Sequence, residues 1–460
     1  MNTKALRQKI LDLAIHGKLV PQDPNDEPAS VLLERIRAEK ERLIKEGKIK
    51  RPKKSKTTSD KPHYENVPFE LPSSWVWCKL HDIIQITNGR SQKYVENVNG
   101  KYPIYGSGGI IGKAVDYLCE AGSTIIGRKG TINNPLFVKE RFWNIDTAFG
   151  MKPMYAISDL YFFYFCQYFD FSKLDKSTAV PSLTQSAIGE VFIPIPPTKE
   201  QKRITDEISY WLGFIDTLES NLINLQLAIK QTKSKILDLA IHGKLVPQYP
   251  TDEPASELLK RINPKAEITC DNGHYQKLPE GWCITSISEM CENINGLWKG
   301  KKEPFVKVGV IRNANFTKDF KLDYSKIEYI DVEERAFKKR HLLNGDLIVE
   351  KSGGSDNNPV GRAILYEGKD AIFSFSNFTM VLRIHYKDVL SYKYLYYYIM
   401  SKYQKGEMRL MQTQTTGLHN LILDKYLDIP LCLPPYQEQQ RIINKIEETF
   451  GVLDLIMENL

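Results

Sequence analysis

The sequence predicts two α/β (α+β) domains separated by a long antiparallel two-helix coiled coil, with a pseudo-two-fold internal repeat. Three observations predict this arrangement. The segment KILDLAIHGKLVPQ stands at 9–22 and again, unchanged, at 235–248. From Ile204 onward, apolar residues recur at alternating spacings of four and three, the pattern of a coiled-coil seam. Between the repeated segments lie two dissimilar blocks, each with β-rich runs and an aromatic-rich helical segment.

Length and composition are those of an ordinary globular protein. The chain has 460 residues, of which 42% are hydrophobic and 26% charged, enough for two or three domains. We expect a cytoplasmic protein, because the sequence contains no long apolar run and starts without a signal-peptide core. The net charge is +7. Segment 37–63 is strongly basic and is either a solvated linker or a phosphate-contacting segment.

The repeat extends beyond the identical segment. DPNDEPASVLLERI (23–36) corresponds to YPTDEPASELLKRI (249–262), LPSSW (71–75) to LPEGW (278–282), and PPTKEQKRI (196–204) to PPYQEQQRI (434–442). Asp26 and Asp252 are expected to cap the short helices that follow them. The predicted domains are an N-terminal repeated helical region (1–63), a first variable domain (64–198), a central repeated helical region (199–274), a second variable domain (275–436) and a C-terminal helix pairing with the central one (437–460).

The apolar seam places the helices. In the central helix it comprises Ile204, Ile208, Trp211, Ile215, Leu218, Leu222, Leu225, Ile229, Thr232, Ile236 and Leu239. The C-terminus repeats its first half and the N-terminus its second half. The two chain ends therefore resemble one broken copy of the central helix, which we expect to pack antiparallel to it. An intermolecular coiled coil that forms a homodimer is the alternative.

Signatures of catalysis are incomplete in this sequence. YGSGGIIGKA (105–114) resembles a phosphate-binding loop but has Ser107 and Ala114 where the motif needs Gly and Ser/Thr. LPPY (433–436) has Leu433 where an amino-methyltransferase needs a polar residue. We therefore predict no catalytic residue, no metal ligand and no cofactor bound by this chain. The aromatic stretches 159–169 and 392–403 are expected in the core rather than as base-stacking platforms.

Candidate DNA-binding residues cluster in basic, glycine-rich turns. AGSTIIGRKGTINN (121–134) parallels NGDLIVEKSGGSDNN (344–358), which aligns Arg128 and Lys129 with Lys351 and Ser352. Lys and Arg suit phosphate or guanine, and Asn suits adenine; a plain polar turn is the alternative. Loops 176–185 and 411–420 are further candidates for flexible reading loops. The predicted residues are Arg90, Lys93, Tyr94, Arg128, Lys129, Asn133, Asn134, Lys299, Lys301, Lys302, Arg312, Asn313, Asn315, Lys351, Ser352, Asn357 and Asn358.

The ordered, duplicated motifs resemble the DNA-specificity (S) subunit of type I restriction–modification enzymes over essentially the whole chain. The resemblance implies that each variable block is a target recognition domain for one half of a bipartite, asymmetric DNA site. It also implies that the repeated helices dock two adenine-N6 methyltransferase (modification) subunits and, through them, the restriction (motor-nuclease) subunits. S-adenosylmethionine, ATP and Mg²⁺ would belong to those partners. Identical outward residues, Lys18, Gln22, Lys244 and Gln248, are the predicted partner-docking residues, although a recent duplication would also explain them.

Two other functions remain open from the sequence. One is a coiled-coil structural adaptor that reads no DNA, for which no salt-sensitive duplex binding is expected. The other is a self-sufficient DNA-modifying enzyme, against which the incomplete motifs count.

Overall fold

The computed structural model describes residues 2–47, 67–154, 156–177, 180–264, 278–297, 300, 302–355, 358–415 and 417–460. Much of the basic segment 37–63 therefore lies outside the described residues. The chain divides into two compact units, Met1–Asn221 and Leu222–Leu460.

The first unit contains five complete helices, the first part of a sixth, and nine strands among its described residues. The helices are α1 (Thr3–Ile15), α2 (Ala29–Lys45), α3 (Leu80–Ile83), α4 (Asp159–Tyr168), α5 (Gln185–Gly189) and α6 (Thr198–Ile241), whose residues belong to both units. The strands are β1 (Val76–Lys79), β2 (Ile84–Asn88), β3 (Tyr102–Gly106), β4 (Gly109–Ala114), β5 (Ser123–Gly127), β6 (Leu136–Val138), β7 (Trp143–Asn144), β8 (Ala148–Pro153) and β9 (Phe192–Ile195).

The second unit contains the remaining elements. Its helices are the end of α6, α7 (Ala255–Ile262), α8 (Ile287–Met290), α9 (Glu334–Lys339), α10 (Tyr392–Gln404), α11 (Leu423–Leu427) and α12 (Tyr436–Glu458). Its strands are β10 (Cys283–Ser286), β11 (Cys291–Asn295), β12 (Phe305–Ile311), β13 (Glu328–Glu333), β14 (Leu347–Glu350), β15 (Ser352–Gly354), β16 (Ala363–Leu365), β17 (Phe373–Phe375), β18 (Thr379–Ile384), β19 (Gln412–Thr415), β20 (Leu418–Leu421) and β21 (Pro430–Leu433).

The two blocks share one sheet topology despite their dissimilar sequences. Each has a four-stranded antiparallel sheet, in the order β2-β8-β5-β6 in the first unit and β11-β18-β14-β16 in the second. Each also has a three-stranded sheet with one antiparallel and one parallel pair, β4-β3-β7 and β13-β12-β17. The predicted mixture of helices and strands is confirmed. A further sheet, β15-β20-β19, forms in the second unit.

In each unit a terminal helix, α1 or α12, pairs with part of α6, and the antiparallel arrangement of these helices stays a prediction. In the first unit, Arg7 of α1 pairs with Asp216 and Glu219 of α6 at 2.5 and 2.9 Å. In the second unit, Lys233 of α6 pairs with Asp454 of α12 at 2.5 Å. The α6 residues that pair with the N-terminus belong to its first half, and those that pair with the C-terminus belong to its second half.

The predicted seam is buried at several of its positions. Ile204, Ile208 and Ile215 are buried in the first unit, as are Ile229 and Ile236 in the second. Trp211, Leu225 and Thr232 are exposed, however. The Trp211 indole N–H donates to Glu207 Oε1 in the preceding helical turn at 2.7 Å. A continuous coiled-coil spacer remains a prediction.

Glycine ends the helix of each repeated segment. Gly17 and Gly243 adopt φ angles of 67° and 64°, a left-handed conformation that other residues rarely adopt. A Cβ at Gly17 would lie 2.6 Å from Pro72, and one at Gly243 would lie 2.3 Å from Pro279. The predicted helix end near Gly243 is confirmed, and this turn packs on the LP dipeptide that opens each block.

The aromatic helices pack on the last strand of each block, β9 in the first and β21 in the second. The phenol of Tyr161 on α4 donates to Pro194 O at 2.7 Å, and that of Tyr394 on α10 donates to Cys432 O at 2.7 Å. Both tyrosines are buried, and burial raises the pKa of each phenol well above its usual value. The prediction that these aromatic stretches form core rather than stacking platforms is confirmed for these residues.

Candidate nucleic-acid interface

In the first unit, three segments meet at one end of the four-stranded sheet. The backbone N–H of Arg128, after β5, donates to Thr147 O at 2.7 Å. That of Arg90, after β2, donates to Asn144 O at 2.9 Å. A Cβ at Gly89 would lie 1.7 Å from Ile145 O, so only glycine permits this approach. We call residues 89–94, 127–130 and 144–148 the first edge.

The basic side chains of the first edge lie at its surface. The Arg128 guanidinium lies over the Phe149 ring at 6.0 Å and donates to Asp146 O at 3.4 Å, which fixes its direction. Lys129, Arg90, Lys93 and Tyr94 are exposed. The structure therefore brings Arg90, Arg128 and Lys129 together, as a surface that contacts phosphate or base edges requires.

The predicted adenine-reading asparagines of this block have other surroundings. The Asn133 side chain donates to Asp170 Oδ1 at 3.0 Å and accepts from Phe171 N at 2.9 Å. These bonds anchor the segment after α4 and occupy one donor and the carbonyl oxygen. Asn134 lines a cavity beside Lys4 and Arg7 of α1.

The second unit has a matching edge, and the predicted alignment of the two basic turns is confirmed. The consecutive N–H groups of Arg128 and Lys129 converge on the carbonyl of Thr147 at 2.7 and 3.3 Å. The N–H groups of Lys351 and Ser352 likewise converge on the carbonyl of Phe378, at 2.9 and 3.1 Å. We call residues 295–297, 312–313, 351–354 and 375–378 the second edge.

Side chains of the second edge are bonded to one another. Lys351 Nζ donates to Asn295 Oδ1 at 2.9 Å, and burial lowers the pKa of Lys351. Ser352 hydrogen-bonds Asn420, and Asn313 Nδ2 donates to Ser352 O at 2.6 Å. Lys351, Ser352 and Asn313 thus lie together in a preformed polar network rather than as free side chains, and their contact with DNA stays a prediction.

The prediction for Asn315 is wrong. This residue is fully buried, its Oδ1 accepts from Arg312 N at 2.9 Å and its Nδ2 donates to Asp323 O at 3.2 Å. Asn315 therefore stabilises the turn after β12 and presents no atom to a partner. The neighbouring Arg312 guanidinium forms an ion pair with Glu328.

The remaining candidate DNA-binding residues of the second block lie outside the second edge. Lys302 is exposed, and its N–H donates to Glu333 Oε1 at 2.8 Å. Asn358 is exposed, and its N–H closes a turn on Ser355 O at 3.1 Å. Lys299, Lys301 and Asn357 lie outside the described residues.

Two features at or beside the second edge were not predicted from the sequence. Segment 411–420 was expected to be a flexible loop, but β19 and β20 form a hairpin that pairs with β15 beside Ser352. Asn295, which receives the Lys351 ammonium, was also missed. The signal available for Asn295 was a polar residue at the end of a predicted strand, which is a common pattern.

The predicted partner-docking glutamines are hydrogen-bonded within their own unit. Gln22 Nε2 donates to Gly17 O at 2.7 Å and to Glu200 Oε1 at 3.2 Å. Gln248 makes the corresponding bonds, to Gly243 O at 2.8 Å and Glu438 Oε1 at 2.9 Å. These two side chains therefore have an intramolecular role, and their docking role stays a prediction. Lys18 and Lys244 lie at matching positions of the two repeats, and Lys244 is exposed.

The same glutamines belong to a network that we call the clasp. It comprises Gln22, Asp26, Glu200 and Arg203 in the first unit, and Gln248, Asp252, Glu438 and Arg441 in the second. Arg203 Nη2 lies 2.7 Å from Asp26 Oδ2, and Arg441 Nη2 lies 2.5 Å from Asp252 Oδ2. Burial raises the pKa of Glu200 and Glu438, while hydrogen bonds from the glutamines oppose the shift.

The clasp replaces the expected helix caps. The residues that precede α2 and α7 are Pro28 and Pro254, which make no side-chain cap bond, so the capping prediction for Asp26 and Asp252 is wrong. Each aspartate instead ties the turn before a short helix to the closing helix of its unit. Part of the sequence identity between the repeats is therefore explained by the clasp, which makes the same intramolecular contacts in each unit.

Membrane-spanning helices and metal clusters are both absent from the described residues. None of the helices, within the described ranges, is long and apolar enough to cross a membrane. In the same part of the chain, no group of three or more His, Cys, Asp or Glu side chains is arranged to hold a metal ion.

Comparisons with known proteins agree on one family. The model of the type I restriction modification DNA specificity domain matches residues 72–226 and 279–458. The EcoEI type I restriction enzyme specificity subunit of Escherichia coli is 26% identical, over 99% of this chain and 90% of that protein. The EcoAI specificity subunit, also of Escherichia coli, is 28% identical over 97% of this chain and 88% of that protein. A solved structure from work on complex assembly and conformational transition of the type I R-M system is 16% identical, covers 85% of this chain and 94% of that one, and aligns with a TM-score of 0.53. The last comparison shows a shared fold.

Proposed function

Because the chain belongs to the type I restriction modification DNA specificity family, we propose that it reads a bipartite, asymmetric DNA target, one half with each block. The observation that carries this proposal is the pair of edges. Their backbones hold two basic turns in the same hydrogen-bonded position, while their side chains differ. Two turns that are held in the same backbone position but carry different side chains are suited to contact two different half-sites.

The repeated helices are proposed to dock two modification subunits, which in turn hold the restriction subunits. Lys18 and Lys244 stand at matching positions of the identical segment, so each repeat carries the same charge there. Catalysis is assigned to the partners, which would bind S-adenosylmethionine, ATP and Mg²⁺ and methylate adenine N6. A partner that methylates a base in duplex DNA must extrude that base from the stack.

Helix α6 is proposed to set the spacing between the half-sites. It has 44 residues and is therefore about 66 Å long at 1.5 Å per residue. Deletion of one heptad from α6, with a matching deletion in the helix that pairs with it, should shorten the non-specific spacer or abolish assembly. An unchanged spacer would contradict this role.

The proposal is tested by co-expressing the chain with its modification partner and mapping methylated adenines across a genome. Two short motifs separated by a fixed number of unspecified bases are expected. A single contiguous motif would contradict reading by two blocks. A structural adaptor predicts no methylation pattern that depends on this chain and no salt-sensitive duplex binding.

A further inference from the structure

The β3–β4 hairpin of the first block exposes two neighbouring isoleucines. Ile110 and Ile111 are 64% and 52% exposed. Tyr105 pairs with Ile110 and Ile104 pairs with Gly112. Ile111 is thus an extra residue in β4, which places two large aliphatic side chains side by side at the surface. This hairpin is the stretch whose sequence resembled a phosphate-binding loop, and its role is otherwise unexplained.

The tip of the hairpin contains a glycine that the fold does not require. A Cβ at Gly108 would meet nothing within 4 Å, and Gly108 is not among the glycines with positive φ. Gly109, in contrast, has φ 130° and needs glycine for its own backbone. Gly108 is therefore required neither by its backbone conformation nor by packing within the protein. The absence of a side chain there lets another molecule approach the backbone closely.

The tip is continuous with the first edge. The Ser107 Cβ lies 3.1 Å from the position that a Cβ on Gly127 would take, directly before Arg128. The Ile145 side chain, in the loop that receives the Arg90 and Arg128 N–H bonds, lies 3.5 Å from the equivalent position on Gly106. Any duplex seated on the basic turn would therefore also meet the hairpin tip.

Ile110 and Ile111 lie beside the basic side chains of the first edge, and one apolar group on the base edges of duplex DNA could contact them. Phosphates and most groups on the base edges are polar, whereas the thymine 5-methyl group is apolar and lies in the major groove. The second block is built differently at this place. The connection between β12 and β13 forms two short turns, Asn313–Asn315 and Tyr324–Lys326, beside the Arg312–Glu328 ion pair.

We infer that Ile110 and Ile111 are specificity-determining residues of the first block, which contact thymine methyl groups in its half-site, with Gly108 permitting the close approach. The inference rests on the proposed function. It predicts that the two halves of the target differ in their dependence on thymine methyl groups.

The test measures binding of the full chain, in complex with its modification partner, to duplexes carrying the mapped target. Deoxyuridine replaces thymidine in one half-site at a time, which removes only the methyl groups. In the half-site of the first block, wild-type binding should weaken about fourfold for each contacted methyl group that is removed, from the usual free energy of burying one methyl-sized group. The Ile110→Ser/Ile111→Ser variant should bind the natural target more weakly and be indifferent to the replacement.

Two further variants separate recognition from folding. Val115→Ser removes an apolar side chain that is 58% exposed just beyond β4, and it should retain wild-type discrimination. Gly108→Ala should weaken binding without lowering the midpoint of thermal unfolding, because its Cβ meets no protein atom.

Discrimination against deoxyuridine that persists in the double serine variant would overturn the inference, as would a first half-site made only of G·C pairs. If the wild-type complex has no bipartite target, the proposed function itself fails. If it binds a bipartite target but ignores deoxyuridine in the first half-site, only the role of Ile110 and Ile111 fails.

Discussion

The clasp and the edges are both duplicated in this chain, but they are duplicated differently. The clasp repeats its four side chains and their contacts in both units, including the Gln22–Glu200 and Gln248–Glu438 hydrogen bonds. The edges repeat only their backbone hydrogen bonds, while Lys129 in one corresponds to Ser352 in the other. Side chains that close the fold are thus kept, and side chains that face outward vary over a common backbone.

A similar contrast exists within the identical segment. Asp238 forms an ion pair with Lys405 of the second block, whereas the corresponding Asp12 pairs with Lys9 in its own helix at 3.3 Å. The same aspartate of the repeated segment thus has a different electrostatic environment in each copy, because the two blocks that pack against the copies differ.

The largest expected effect is on the clasp. Arg203→Ala leaves Asp26, whose side chain is 2% exposed, without its cation. Removing the cation leaves the buried Asp26 carboxylate with an uncompensated charge, so we expect a loss of about 3 kcal/mol in the free energy of unfolding. Urea denaturation of the purified chain measures this loss.

The control for Arg203 is Arg42→Ala, which breaks an exposed pair with Glu39. Such pairs are worth less than about 1 kcal/mol. Equal losses in the two variants would show that the clasp does not hold the unit together, and the contrast with the edges would then lose its basis.

The next effect is on stability in acid. Lys405, followed by Lys235, holds the pKa of Asp238 down at about 2. A folded-state pKa below the unfolded value stabilises the fold above the unfolded pKa, and this contribution is lost as the pH falls through the folded pKa. Wild type should exceed Asp238→Asn in unfolding free energy by about 2 kcal/mol at pH 7, and by almost nothing near pH 1.

Asp12→Asn is the matched control, because Asp12 occupies the same place in the repeat and its ion pairs are with Lys9 and His16 of its own segment rather than with a block lysine. Its effect at pH 7 should be smaller. The same pH dependence in both variants would mean that the block does not alter the environment of the repeated helix.

The smallest effect is on an edge. Lys129→Ala should weaken duplex binding several-fold and reduce the slope of log K against log salt by about 1, since one cation fewer neutralises a phosphate. The methylated motif should stay the same. Lys139→Ala, an exposed lysine after β6 at the other end of the sheet, should leave the slope unchanged. If the Lys129 and Lys139 substitutions lowered the salt slope equally, DNA binding would not be localised to the first edge.

The sequence predicted the local features of this molecule better than its long-range contacts. The correspondence of Arg128 with Lys351, the helix end near Gly243 and the buried aromatic helices follow from motifs and spacing within short segments. The intramolecular hydrogen bonds of Gln22 and Gln248 were missed because their carboxylate partners lie 178 and 190 residues away. Asn315 was misassigned because burial depends on packing that no local pattern reveals. The shared sheet topology was hidden by divergent side chains on strands with the same pairing.

Exchange of block residues 64–198 for the equivalent block of a relative, followed by mapping of methylated adenines, tests the central claim most directly. If each block reads one half-site, one half of the motif changes while the other half and the spacer length stay the same. A motif that changes in both halves, or in neither, would contradict reading by two independent blocks.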